Sequence, residues 1–405
     1  MKPCFDRTLE TFLVSESLNQ PDFGPSRKTA WIFVCLGFAC LLGGAYYDNI
    51  RGPLLPPMAQ ALGLEFTQVG SFLAVGYVSA TLTTFGLIWA LSRWSERLVT
   101  ACLAGIGVTA ALCSQMVTNL PTMYVLAAMV GCTVSTLGAI SNVLVVNGAP
   151  KGKEGRLLSA LHGMYGVGSA LATVTVGILM GRGFEWSKPY LLAAPFFGLL
   201  CLSAVFFLSS GTQKEATAAQ NGRITPIQIF VVFMFSVYVA GEVTTATWMT
   251  TYMVRVLGKG VSDATPYLSI YFLLITVSRM ICAFFLKPSM EKIVLKLALI
   301  VPVGFFLAGY NGALWGFPLM ASYGPFFPVF LARLNRVFPE SARNLTILVM
   351  VGMNAMVGLC SLGLGRLADI LGMRYAYLIA PALLFSSFCL LLVYFKFESK
   401  IFPQK

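Results

Sequence analysis

Charge is the scarcest property of this 405-residue sequence: Asp, Glu, Lys and Arg together make up 11%, against 57% hydrophobic residues. A soluble domain of that make-up would have to expose large apolar patches, so the scarcity excludes an ordinary water-soluble fold. Histidine occurs once, at His162, and no CxxC pair is present. With nine of the ten cysteines inside apolar runs, no metal-ligand set can be assembled, and the cysteines read as small hydrophobes. No paired His and Asp or nucleophile motif points to an enzyme. No long polar region is available as the output domain of a membrane sensor.

What the chain has instead is twelve apolar stretches, each about long enough to cross a bilayer. They run over 30–51, 69–91, 98–116, 122–147, 157–180, 189–208, 227–253, 264–286, 293–309, 312–332, 344–364 and 373–394. None alternates with period two. Hydrocarbon offers no partner for a free N–H or C=O, so each is expected to be a helix. The mean hydropathy of +0.78 agrees.

The polar stretch 209–226 divides the chain six plus six. The expected layout is a tail over 1–29, a six-helix bundle over 30–208, the linker over 209–226, a second bundle over 227–394 and a tail over 395–405. Residues 1–29 lack the short apolar core and cleavage site of a removable signal peptide. Twenty of the 28 Lys and Arg fall on the side of the two tails and seven on the other, with Arg279 inside an apolar run. The positive-inside rule then puts both termini in the cytoplasm. The net charge of +12 is accounted for by cytoplasmic loops facing anionic lipid, with no nucleic-acid partner. A bacterial inner membrane and a monomer are expected.

Three ionisable groups inside the spans need a reason. Glu242 lies deep in span seven, Arg279 in span eight and Asp48 in the outward part of span one. At a helix centre each costs about 2.5–3.5 kcal/mol on insertion scales unless it faces protein or a water-filled cavity. Glu242 and Arg279 either line a solute pathway, with Glu242 exchanging a proton, or form a structural ion pair between two helices. Asp48 either serves gating or pairs with Arg51, three residues on, at a hydrated helix end. His162 is either a proton relay or a hydrogen-bonded group at a helix interface. Asn142, Tyr165, Tyr238, Trp248, Tyr271, Tyr310, Asn311 and Asn354 supply aromatic faces and amides of the kind that hold a polyhydroxy solute. The glycines Gly163, Gly166 and Gly168 fit close helix contact as well as ligand approach.

The halves repeat weakly. Arg156 and Arg343 each lead into a glycine-dotted helix that closes on Gly177 or Gly365, and such duplication is typical of alternating-access carriers. Span seven has Tyr238, Gly241, Glu242, Trp248 and Tyr252; span five opens with Leu161, His162 and Gly163, followed by Tyr165; span eight has Ser278 and Arg279. Span ten has Gly324, Pro325 and Pro328, and Gly365, Arg366 and Asp369 precede span twelve. On these motifs the chain resembles the major facilitator superfamily, and within it the fucose permease and glucose/proton symporter group.

The resemblance implies an all-α integral membrane fold, two six-helix bundles with pseudo-two-fold symmetry, rocking about a central site with proton-driven uptake. Departures are visible too. The loop from Ser92 to Arg97 is a degraded form of the superfamily's signature. Span four has no acidic residue, and Asp48 does not fall at the family's distance from Pro56, which leaves Glu242 as the coupling candidate. The expected function is secondary transport of a small polar, sugar-like solute, with no cofactor beyond a coupling proton, no bound metal, and lipid as the other partner. Export of amphipathic drugs, lipids or metal ions, and a non-transporting sensor, are the alternatives.

Overall fold

The computed structural model describes residues 27–150, 153–208 and 224–401; most of the N-terminal tail and of the linker lies outside these. Among the described residues the chain is helical throughout, with no strand. The twelve principal helices are α1 (Arg27–Leu62), α2 (Phe66–Arg93), α3 (Glu96–Cys113), α4 (Leu120–Gly148), α5 (Glu154–Gly181), α6 (Ala194–Phe207), α7 (Pro226–Arg255), α8 (Val261–Phe285), α9 (Glu291–Tyr310), α10 (Phe326–Val337), α11 (Ala342–Leu371) and α12 (Ile379–Ile401). Eleven of the helical segments are long and apolar enough to cross a membrane.

Helix ends follow local chemistry. The Asn119 side chain accepts from Thr122 N–H at 3.1 Å and Pro121 occupies the first turn of α4. Pro226 starts α7, where the Gln228 side chain accepts from Thr225 N–H at 2.8 Å. Gly372, at φ +84°, ends α11.

Three expected boundaries differ. Span one does not stop at residue 51: α1 continues to Leu62 through Pro53, Pro56 and Pro57. Neighbouring helices hold it, since α1 packs on α4, α5 and α7 and nearly every residue from Ile50 to Ala59 is buried. Span ten is not one helix. A turn at Gly316–Leu319, a tighter turn at Met320–Tyr323 and α10 follow one another, broken at Gly324 and Pro325. Side chains of α8 support the break: Ser278 Oγ donates to Ala321 O at 3.2 Å, which also accepts from Gly324 N–H, and Arg279 Nε donates to Gly324 O at 3.0 Å. The C-terminal tail is not a tail as far as Ile401, because α12 continues there. Arg333 of α10 donates to both carboxylate oxygens of Glu398, at 3.1 and 2.6 Å, and to Glu291 of α9 at 3.1 Å, tying three helix ends together.

The first six helices meet the last six along three seams: α2 with α11, α5 with α8, and α1 with α7. Close approaches along them cluster from mid-height toward the end opposite the chain termini. There a Cβ on Gly365 would come within 2.3 Å of Phe66 O, and one on Gly166 within 1.6 Å of the Thr276 hydroxyl. Thr173 of α5 and Ser269 of α8 share a hydrogen bond of 2.7 Å across the seam. The halves are thus closed against each other at that end.

Candidate functional site

Glu242 of α7 and Arg279 of α8 form an ion pair, Nη2 to Oε1 at 3.2 Å. Around it stands an aromatic cage. Tyr238, one turn before Glu242, donates its hydroxyl to the other carboxylate oxygen. Tyr271 and Tyr323 direct theirs at the Glu242 backbone carbonyl, at 3.5 and 3.4 Å. The Tyr238 ring meets Tyr323 edge-on at 6.3 Å and Phe326 at 4.3 Å, while the Arg279 guanidinium lies 5.9 Å from the Phe327 ring centre. The carboxylate therefore has a cation and a phenol, and the guanidinium a carboxylate and a carbonyl.

This pair is not sealed. The Arg279 and Glu242 side chains keep 27% and 16% of their surface accessible. His162 is exposed although it sits inside α5, and it lies within electrostatic reach of Arg279. All three lie at or beyond the Gly166–Thr276 contact, on the side toward the chain termini. The close seam contacts thus lie on the far side of the pair from the termini.

A second charged cluster stands on the first half. Asp48 and Arg51 pair directly, but not at a helix end: α1 continues to Leu62, and the Arg51 side chain is only 5% accessible while that of Asp48 keeps 23%. Arg51 therefore lies within α1, eleven residues before its end, rather than at the end expected for span one. Its guanidinium lies 5.2 Å from the Tyr77 ring centre, and its Nε donates to Asp48 O at 3.1 Å. Tyr165 of α5 donates to the remaining Asp48 oxygen at 2.5 Å. Asn49 donates to Ser169 Oγ at 2.8 Å and to the Tyr165 hydroxyl at 3.3 Å, so this cluster ties α1 to α5.

The structure thus groups Glu242, Arg279, Tyr238, Tyr271 and His162, and separately Asp48 and Tyr165. Other expected residues stand apart. Trp248 is fully buried in the part of α7 toward the closed end, its Nε1 without a hydrogen-bond partner. Tyr310 stacks on Tyr252 at 5.7 Å and donates to Arg374 O, and Asn311 donates to Leu307 O at the end of α9. Asn142 is occupied by its own helix, donating to Gly138 O at 2.8 Å, and Asn354 is half-buried on α11. Among the described residues no group of His, Cys, Asp and Glu could hold a metal ion. Sequence reasoning offered the Asp48–Arg51 pair, which the structure forms, and missed Asn49, Tyr77, Tyr323, Phe326 and Phe327 as site residues.

The family model described as the Major Facilitator Superfamily matches residues 34–324. The chain belongs to that superfamily. Solved structures of the same fold include a point mutant of the nucleoside transporter NupG, at 15% identity and TM-score 0.73, covering 90% of this chain and 100% of that one. A D-xylose-proton symporter aligns at 14% identity and TM-score 0.72, covering 89% and 97%. A bacterial homolog of the human lysosomal transporter Spinster, inward-facing and occupied, aligns at 12% and 0.73, covering 92% and 98%. At these identities the likeness establishes the fold alone. No curated protein matches the sequence. As a superfamily member with an all-α membrane fold, the protein is a multi-pass secondary transporter and not an enzyme.

Proposed function

We propose that this transporter carries a small polar organic solute, sugar-like in its hydroxyl content, by alternating access with proton coupling. The carrying observation is the partly exposed Glu242–Arg279 pair inside an aromatic cage, on the terminus side of the close seam contacts. Rings there offer faces to C–H surfaces, while the carboxylate and guanidinium can exchange their mutual bond for hydroxyl groups. The nucleoside and xylose transporters of the same fold are consistent with a solute of that type.

In this reading both termini lie in the cytoplasm of a bacterial inner-membrane protein, and the structure is its inward-facing state. The protein works as a monomer in a lipid bilayer, with no cofactor beyond the proton. Protonation of Glu242 loosens Arg279, the solute takes the vacated hydrogen bonds, and the bundles rock. Proteoliposome uptake under an imposed pH gradient tests this. Sugar and nucleoside flux should rise with the gradient and lose that dependence in Glu242→Gln. Flux indifferent to the gradient, with wild-type and variant alike, would contradict coupling through Glu242.

A further inference from the structure

We infer that Asp369 is a releasable latch that holds the two halves together at the end opposite the termini. Asp369 is exposed on the last turns of α11, in the second half, yet the hydrogen bonds its carboxylate accepts come from the first. One carboxylate oxygen accepts from Phe66 N–H at 2.9 Å; the other accepts from Thr67 N–H at 2.7 Å and from the Thr67 hydroxyl at 2.5 Å. These are the first two backbone donors of α2, which have no acceptor within their own helix. The start of α2 is thus capped by a side chain from the opposite bundle, where the helix dipole also favours a negative charge.

The approach is built in. Gly365 lies one turn before Asp369 on the same face, and a Cβ there would meet Phe66 O at 2.3 Å. Gly70, one turn into α2, meets Ser361 O in the same way, at 2.4 Å. Glycine on both helices lets the backbones touch, and that contact delivers the carboxylate to the α2 terminus.

The α5–α8 seam is closed differently. Between α5 and α8 the contacts are neutral and buried: Thr173 with Ser269, and Gly177 against Thr265. Breaking them would strand hydroxyls unless water entered the seam. Asp369 already faces solvent, so every bond of the latch can be exchanged for hydration. The α2–α11 rim is therefore the side that lets go first, and removing the charge shifts the resting balance toward the state open at that end. This holds whichever solute is carried.

Spin-label distance measurement tests it. Labels at Ala61→Cys and Tyr375→Cys, both exposed at this rim on opposite halves, are placed in a chain whose ten native cysteines are all serine. The parent should give mainly the short distance. Asp369→Asn should raise the long-distance population about three- to tenfold, and Thr67→Val, which deletes one bond of the three, about twofold. Arg366→Ala, an exposed change one turn away, should leave the distribution unchanged. An Asp369→Asn distribution equal to the parent's would overturn the latch, as would an equal shift from Arg366→Ala. Where Asp369→Asn does not fold, Thr67→Val decides alone, and no shift in it would overturn the latch.

Discussion

Asp48 and Glu242 are both carboxylates inside the membrane-spanning region, and their partners assign them different work. Asp48 is held by an arginine on its own helix and by a tyrosine from α5, with the arginine almost fully enclosed. Breaking such a pair from one side leaves a buried charge uncompensated, at a cost of about 3–5 kcal/mol. Asp48→Asn, which leaves the enclosed Arg51 without its counter-charge, should therefore lower the melting temperature of detergent-purified protein sharply, and Asp48→Asn combined with Arg51→Leu should recover much of the loss. Equal melting of single and double variants would show the pair to be uncoupled. Arg279 keeps 27% of its side-chain surface accessible where Arg51 keeps 5%, so Glu242→Gln should shift melting far less than Asp48→Asn while removing the gradient dependence of flux.

At the scale of elements, helices were legible because hydrocarbon leaves the backbone no other choice, and α2 through α9 fall close to their expected bounds. Two failures have one cause, which is that proline does not have a fixed meaning in a membrane helix. Pro53, Pro56 and Pro57 lie just past the expected end of span one, but packing against α4, α5 and α7 carries α1 through them. Pro325 looked like part of a continuous span, yet Gly324 and Pro325 break it because Arg279 and Ser278 supply donors from α8. Which outcome holds depends on what a neighbouring helix offers, and a single sequence does not carry that. Glu242 and Arg279 were found because their cost in oil singles them out; Tyr323, Phe326 and Phe327 were missed because aromatic residues carry no such cost.

The far end of α12 was hidden for a related reason. Its last turns are polar and look like a tail, but Glu398 is claimed by Arg333, Lys292 and Tyr394. Glu398→Ala leaves Arg333 half-satisfied between α9 and α10 and should destabilise the protein by about 1–3 kcal/mol, read as a lower melting temperature. A melting temperature unchanged from the parent would show that the network contributes nothing.

For the whole molecule, the arrangement of contacts matters more than any one of them. Glycine approaches and cross-seam hydrogen bonds shut one end, while His162, Arg279 and Glu242 remain accessible beyond them. The weak internal repeat foreshadowed the glycine-dotted α5 and α11, and both prove to be seam helices, Gly177 against Thr265 and Gly365 against Phe66. An alternating-access protein needs such a closure to be reversible, with differential contacts in its two states.

Water access to the Glu242–Arg279 pair from the side of the termini underlies the whole transport reading. His162→Cys in the chain with all ten native cysteines replaced by serine, reconstituted in sided vesicles and exposed to a membrane-impermeant thiol reagent, puts that access to the test. Modification should occur from the side of the termini and slow when a transported solute is present. A cysteine at 162 that no impermeant reagent reaches from that side would refute it.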